Sequence, residues 1–373
     1  MTPAPASIGD ALAAIDTPAL IVDLDAFDFN IARMAAFAAE AGIAVRPHAK
    51  THRCPAVALR QVAAGAVGQC VQTVGEAEAM IAGGISDVIC TNEILAPSKL
   101  ARLAELATRA KVGLLVDSAE GVERASRAAV AAGSVLDVLV EIEVGMGRCG
   151  IAPGGPAAAL ARLVADAPGL LFRGLQAYNG RAQHIRTHAG REEAVSRAAE
   201  AVRATQAGLA REGLVADVIA GAGTGTFRLE TAAKLWTELQ VGSYAFMDGE
   251  YASLEGEGGA VQPEFRHSLF ILAEIVSAAT ADRAIANAGL KVMSTEQGRP
   301  SVFERPDIEV TGVSDEHSRL ELSLDAPPLG LGDRVRLVPS HCDPTVNLHD
   351  WIVAVRGDVV EDIWPVTARG ASR

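Results

Sequence analysis

The sequence predicts an α/β protein: a TIM-type (β/α)8 barrel followed by a C-terminal β domain. Three observations predict it. Apolar runs of strand length recur near 43–49, 68–72, 87–91, 112–117, 136–143, 171–178, 217–221 and 238–245. Helical periodicities separate them, as at 98–110, 119–132 and 189–211. After about residue 258 helical periodicity becomes scarce and strand-like stretches dominate, at 268–276, 284–287, 334–338, 351–356 and 359–365. Eight alternating units in this length suit a barrel. The rival, a doubly wound open sheet, lacks its GxGxxG turn after the first strand.

Taken in order, residues 1–18 read as a tail and 19–23 as a strand. Asp25 is expected to cap a helix whose apolar face is Phe27, Ile31 and Met34, and Gly42 to end it. The strand at 19–23 is one too many for the barrel. The expected division is therefore a tail and strand (1–25) joining the β domain, a barrel (26–257) and the β domain itself (258–373).

Composition bounds the function. The 373 residues are 49% hydrophobic and 21% charged, as in a globular enzyme. Aromatics are only 4%, so Ala, Val, Leu and Ile must build the core. A net charge of −13 argues against nucleic acid or an anionic membrane surface as partner. No apolar run is long enough to span a bilayer, and residues 1–10 lack the basic start and apolar stretch of a signal peptide. The five cysteines are odd in number and not spaced as a zinc ribbon. Reduced thiols in a cytoplasmic protein are the expectation.

In such a barrel the reacting groups sit at the C-terminal ends of the strands. The first strand runs out into Arg46, Pro47, His48, Ala49, Lys50, Thr51, His52 and Arg53. A lysine among cations loses its proton more readily and becomes a nucleophilic amine toward carbonyls. A solvated basic rim is the alternative. Other strand ends carry Gln72, then Thr91 to Glu93, then Glu141 to Gly150 with Arg148, then Gln176 to Gly180 with Tyr178 and with His184 beyond. The seventh and eighth strands end in Gly223-Thr224-Gly225 and Gly242-Ser243-Tyr244. Backbone N–H groups and hydroxyls there suit a phosphate, with a tight turn as the alternative.

A lysine with a phosphate site implies pyridoxal 5'-phosphate. Tyr178 would contact its ring, and Arg148 would face its pyridine nitrogen. A guanidinium supplies no proton, so the ring would be a weaker electron sink and would need help. His341 and Asp343 offer it. Two apart on an extended chain, they point to one face and suit Mn2+, Mg2+ or Zn2+, with Cys342 pointing away. A surface turn is the alternative.

Arg46-Pro47-His48-Ala49-Lys50, Gln176-Ala177-Tyr178, Gly223-Thr224-Gly225, Gly242 to Asp248 and His341-Cys342-Asp343-Pro344-Thr345 resemble the D-threonine aldolase and D-serine dehydratase-like family. Its members are fold type III, alanine-racemase-like pyridoxal phosphate enzymes. The resemblance runs from about Asp16 to Ser372. It implies that Lys50 carries the cofactor, with Gln72, Arg148 and Tyr178 beside it and Gly223, Thr224, Gly225, Gly242, Ser243 and Tyr244 at the phosphate. It also implies that His341 and Asp343 bind the divalent metal, that His184 lies beside the substrate hydroxyl, and that the chain forms a homodimer.

The dehydratase branch places a cysteine two residues after the histidine, where this chain has Asp343, as the aldolases do. The implied activity is retro-aldol cleavage of D-β-hydroxy-α-amino acids, such as D-threonine and D-allo-threonine, to glycine and an aldehyde. β-Hydroxyaspartate cleavage, and dehydration of D-serine or β-hydroxyaspartate, are the alternatives. Thr73 and Gly75 stand where lysine and serine are usual, and Asn179 where histidine or glutamine is common; these departures bear on substrate preference. The small residues Gly75, Gly180 and Ala182 predict room near the site.

Overall fold

The computed structural model describes residues 2–261 and 263–373. β1 (Ala19–Asp23) turns directly into α1 (Leu24–Ala41). The cap of α1 is Asp23, whose Oδ1 accepts from Ala26 N at 3.0 Å; Asp25, expected in that place, lies in the first turn. The strand ends one residue before the helix begins, so its last side chain is the one within reach of the free N–H groups. Gly42 ends α1 in the left-handed conformation, φ 64°, as its lack of a Cβ allows.

The alternation then runs as β2 (Ala44–Val45), α2 (Pro55–Ala63), β3 (Gln69–Val71), α3 (Val74–Ala82), β4 (Asp87–Glu93), α4 (Pro97–Leu106), β5 (Lys111–Val116) and α5 (Ala119–Ala132). It continues through β6 (Leu136–Glu141), α6 (Gly155–Asp166), β7 (Leu170–Ala177), α7 (His188–Arg211), β8 (Val218–Gly221), α8 (Phe227–Ala233) and β9 (Glu238–Leu239). Among the described residues these eight strands, β2 to β9, form one parallel sheet. Its two ends are bridged by Val67 N to Val45 O at 2.9 Å and Cys70 N to Pro47 O at 2.8 Å, which carries the sheet round into a barrel.

β2 and β9 are far shorter than the runs that announced them. Pro47 has no N–H to give the ladder. Residues 49–51 and 243–245 each wind into a single 3-10 turn instead. Those turns bring Lys50 and Ser243 to the barrel's mouth.

The lumen is packed. Ile89, Leu115, Leu139 and Ala220 fill it midway. At the strands' starting ends Arg46 is clamped between Asp87 (2.6 Å) and Glu238 (3.0 Å). Toward the finishing ends Gln176 Nε2 donates to Gln240 Oε1 at 2.7 Å. The layer above these glutamines opens into a cavity.

After α9 (Gly249–Ala252) come β10 (Leu269–Thr280), β11 (Arg283–Ala286), β12 (Ser301–Val302), β13 (Ile308–Val313), β14 (Ser318–Leu322) and β15 (Arg334–Val338). Then follow α10 (Cys342–Val346), β16 (Trp351–Arg356) and β17 (Val359–Pro365). The second sheet runs β13-β14-β11-β10-β1-β16-β17, with β15 on β10 and β12 on β15. β1 therefore sits between β10 and β16. Phe27 of α1 packs 6.2 Å from Phe246 and 5.9 Å from Trp364, ring to ring. One apolar cluster thus spans barrel and sheet, and holds the loop before α10 over the barrel's mouth.

Candidate active site

A cavity of about 330 Å3 opens at the C-terminal ends of the barrel strands. Lys50, Gln72, Arg148, Tyr178, His184, Gly223, Thr224, Gly242 and Ser243 all line it, so most of the sequence-predicted residues converge on one space. Gly225 and Tyr244 do not. The Gly225 N–H donates to Gln183 Oε1 at 3.0 Å, and the Tyr244 N–H to Thr224 Oγ1 at 3.0 Å. The Tyr244 ring is buried and its hydroxyl meets Gln61 at 3.2 Å. Both serve the loops from behind.

What remains of the two loops suits an anion. Among the described residues the N–H groups of Gly223, Thr224, Gly242 and Ser243 carry no intrachain hydrogen bond. A Cβ on Gly242 would lie 2.5 Å from Thr51 Oγ1, and one on Gly223 2.5 Å from Gln183 Oε1. The loops can approach one another and a ligand only with hydrogen at these positions. Behind them runs a buried chain of bonds. Gln183 Nε2 donates to Thr226 Oγ1 (2.8 Å), which donates to Glu230 Oε1 (2.8 Å). Burial pushes the Glu230 carboxyl up to about 7.

The cationic field expected around Lys50 is absent. His48 is buried, accepts from Lys50 N at 3.3 Å through Nδ1 and meets Thr91 Oγ1 at 3.0 Å through Nε2. Burial and the charge of Lys50 push it down to about 3. Burial takes His52 down to about 4. Arg46 is spent on Asp87 and Glu238, and Arg53 pairs with Glu76 at 3.0 Å. Lys50 Nζ instead donates to Asp343 Oδ2 at 2.5 Å, and that carboxylate holds the lysine well above its ordinary value. The expectation of an easily deprotonated lysine is thus corrected: an anion from α10 outweighs the buried, neutral His48 and His52.

Asp343 is held well below the ordinary carboxylate range, because Lys50 and His341 overcome the cost of burying it. Its Oδ1 is buried without a hydrogen-bond partner and lies 3.8 Å from His341 Nε2. The other ring nitrogen, His341 Nδ1, meets Glu296 Oε1. That contact puts a proton on Nδ1 and leaves Nε2 facing Asp343, where its lone pair would be offered to a bound cation. One imidazole nitrogen and one unsatisfied carboxylate oxygen side by side fit a divalent cation. Among the described residues no third His, Cys, Asp or Glu joins them, so further ligands would have to be water or substrate.

His184 is arranged alike, with Nδ1 on Glu250 Oε1 and the ring at the cavity wall. Glu250 belongs to α9, which is laced to the loop that carries His341. Gly249 N reaches Pro339 O (3.0 Å), Glu250 N reaches Ser340 O (3.2 Å), and the capping Asp248 accepts from Cys342 N (3.0 Å). The two histidines are thereby positioned by one hydrogen-bonded strap. Arg148 Cζ stands 6.0 Å from the Tyr178 ring centre, and Arg148 Nη2 stands 3.7 Å from Glu141 Oε1. Of the small residues expected to leave room, only Gly180 lines the cavity. Gly75 lies under the C-terminal tail, its N–H on Arg373 O, and Ala182 is buried.

Glu230, Glu250 and Glu296 were not singled out by the sequence. Glu250 is 66 residues from His184 and Glu296 45 from His341, and neither sits in a motif.

Residues 22–250 match the alanine racemase N-terminal domain. The chain belongs to that family. In this alanine racemase-like chain residues 268–355 match a second model, the putative serine dehydratase domain. The chain is 48% identical to a D-threonine aldolase of Arthrobacter sp, over all of its length and 97% of that protein's. It is 42% identical to a 3-hydroxy-D-aspartate aldolase of Paracoccus denitrificans, covering 95% of this chain and 92% of the other. The crystal structure of a D-threonine aldolase from Filomicrobium marinum superposes with a TM-score of 0.96 at 46% identity, over 99% of this chain and 100% of that one.

Proposed function

We propose that the protein is a pyridoxal phosphate- and divalent metal-dependent aldehyde-lyase of the D-threonine aldolase type. It cleaves D-β-hydroxy-α-amino acids, D-threonine and D-allo-threonine among them, to glycine and an aldehyde. One observation carries the reading: Lys50 Nζ, the amine at the end of the first barrel strand, meets Asp343 Oδ2 at 2.5 Å, in α10 next to His341. An amine for a carbonyl cofactor and a ligand pair for a cation belong to one site. The names of the relatives support the same class.

Lys50 would hold the cofactor, with Tyr178 and Gln72 beside its ring, Arg148 facing its pyridine nitrogen and the 223–224 and 242–243 N–H groups on its phosphate. His341 and Asp343 would hold the cation, Mn2+ or Mg2+ by resemblance, with Zn2+ compatible with the same donors. When bound, the cofactor supplies an electron sink for Cα and the cation a Lewis acid near the β-hydroxyl. The chain does the rest. His184, its Nδ1 fixed by Glu250, presents Nε2 to take the hydroxyl proton as the Cα–Cβ bond breaks. The Gln176–Gln240 layer closes the floor of the cavity below.

A second reading, cleavage of 3-hydroxy-D-aspartate to glycine and glyoxylate, is favoured by Arg181. Its exposed guanidinium lines the cavity, and among the described residues it has no salt bridge, so a second substrate carboxylate could meet it. Measuring glycine and ammonia release from D- and L-threonine, D-allo-threonine, D-serine and 3-hydroxyaspartate decides among these readings. The proposal expects glycine from the D-threonines. Ammonia and a keto acid in place of glycine would make the enzyme a dehydratase.

A further inference from the structure

We infer that the Lys50 ammonium and a divalent cation compete for the Asp343 carboxylate, so that covalent engagement of Lys50 strengthens cation binding. The inference rests on the proposed function for the identity of the two groups, and goes beyond it by coupling their binding.

Lys50 reaches Asp343 Oδ2 from the barrel side at 2.5 Å. Oδ1 of the same carboxylate has no hydrogen-bond partner, is buried, and faces His341 Nε2 across 3.8 Å. A cation seated between His341 Nε2 and Asp343 would therefore share its carboxylate with an ammonium. The Asp343 side chain is only 14% exposed, so solvent does little to screen two positive charges gathered on it. The imidazole cannot swing away to relieve the crowding, because Glu296 holds its Nδ1. Nor can the backbone, because Cys342 N is fixed on Asp248 and α9 is bonded to 339–340. The two cations repel one another across this one carboxylate, so each weakens the binding of the other.

Attachment of an aldehyde cofactor removes the competitor. The Lys50 amine adds to the carbonyl carbon, the C=O oxygen leaves as water, and a C=N bond forms. The nitrogen keeps one N–H at most, where the ammonium had three. Its reach would then be limited by a ring whose phosphate would be held at 223–224 and 242–243. Binding linkage is reciprocal, so the cation must raise the affinity for the aldehyde by the same factor as the aldehyde raises that for the cation.

The test is Mn2+ titration, read as loss of the free-ion electron paramagnetic resonance signal. The proteins are cofactor-loaded wild type, wild type stripped of cofactor, stripped Lys50→Met and Lys50→Ala, and Asp343→Asn. Circular dichroism verifies that each is folded, and the two Lys50 variants guard against one failing to fold. Stripped wild type should bind Mn2+ at least about tenfold more weakly than the loaded protein, within the usual range of coupling between sites. Both stripped Lys50 variants should recover most of that loss, and Asp343→Asn should bind weakly throughout. Equal Mn2+ affinity in stripped wild type, loaded wild type and the Lys50 variants would overturn the inference while leaving the proposed activity standing. Weak binding by the Lys50 variants, with tight binding by loaded wild type, would overturn it too, by giving the credit to the cofactor. If the proposed function itself were wrong, the loaded protein would cleave none of the D-substrates, whatever its Mn2+ affinity.

Discussion

Replacing Glu230 by Gln should flatten the dependence of stability on pH. Glu230 is 3% exposed and ends the buried chain from Gly225 through Gln183 and Thr226; its Oε2 has no partner. Burial lifts its carboxyl from 4.5 to about 7, so the folded protein binds this proton more tightly than the unfolded chain does. The stability it contributes is complete below about pH 4.5 and is lost as the pH rises through about 7. At roughly 1.4 kcal/mol per pH unit the loss levels off near 3 kcal/mol. Unfolding entropy of about 2.1 cal/mol/K per residue makes that roughly 4 °C in Tm for a chain this long. The glutamine still accepts from Thr226 and has nothing to ionise. Any cost of its buried amide is the same at every pH, so the difference in slope isolates the carboxyl. Thermal unfolding of both proteins from pH 5 to 9 should give curves that diverge toward alkaline pH, with the variant losing less. Because Glu230 backs the 223–226 loop, the affinity for pyridoxal phosphate should fall alongside in the wild type alone. Parallel Tm curves for the two proteins would refute the reasoning.

Four further outcomes follow from the site. Glu296→Gln should weaken Mn2+ binding to the loaded enzyme about 10- to 100-fold, the usual cost of losing a carboxylate behind a ligating histidine; an unchanged dissociation constant would separate Glu296 from His341. Glu250→Gln should lower kcat by about tenfold or more with little change in KM, because it acts on the orientation of His184 and not on substrate binding; a rise in KM alone would contradict that. Lys50→Ala should abolish covalent attachment of the cofactor, and borohydride reduction of the wild type followed by peptide mapping should label Lys50 and no other lysine. D-threonine and D-allo-threonine should be cleaved at rates within about a hundredfold, or roughly 3 kcal/mol in barrier, since Gly180 puts no side chain on the cavity wall. A D-allo-threonine rate below detection would locate a wall there after all.

The strand-end residues were legible because a barrel fixes where strands finish, and period-two and period-3.6 patterns mark the strands. Lys50, Gln72, Arg148 and Tyr178 could be placed from that rule alone. Three things were not legible. The capping of α1 by Asp23 turned on a boundary one residue wide, which no pattern resolves. The protonation of Lys50 is not legible, because its chain neighbours are basic by type yet His48 and His52 are held neutral by burial, whereas its spatial neighbour is Asp343, 293 residues away. The carboxylates behind His184 and His341 come from loops whose place depends on the packing of barrel against sheet. The two glycine loops were half legible: their chemistry marked a phosphate site, but the donors that turn inward at Gly225 and Tyr244 looked the same as those that do not.

The place of β1 has a consequence for how the protein is made. Ala19 lies opposite Leu272 and Ile21 opposite Val353, so the strand synthesised first is flanked by two that emerge hundreds of residues later. At about 5–20 residues per second a ribosome needs roughly 20 to 60 s to deliver the last of them. Until β10 emerges Ala19-Leu20-Ile21-Val22 is an apolar ribbon with both edges bare, and one edge stays bare until β16 follows, the kind of segment that pairs with another nascent chain. Asp343 lies ten residues before Val353, so the carboxylate facing Lys50 arrives with the very stretch that ends the wait. Crowding of ribosomes on the message, or a slow run of codons before residue 353, should therefore lower the yield of folded enzyme.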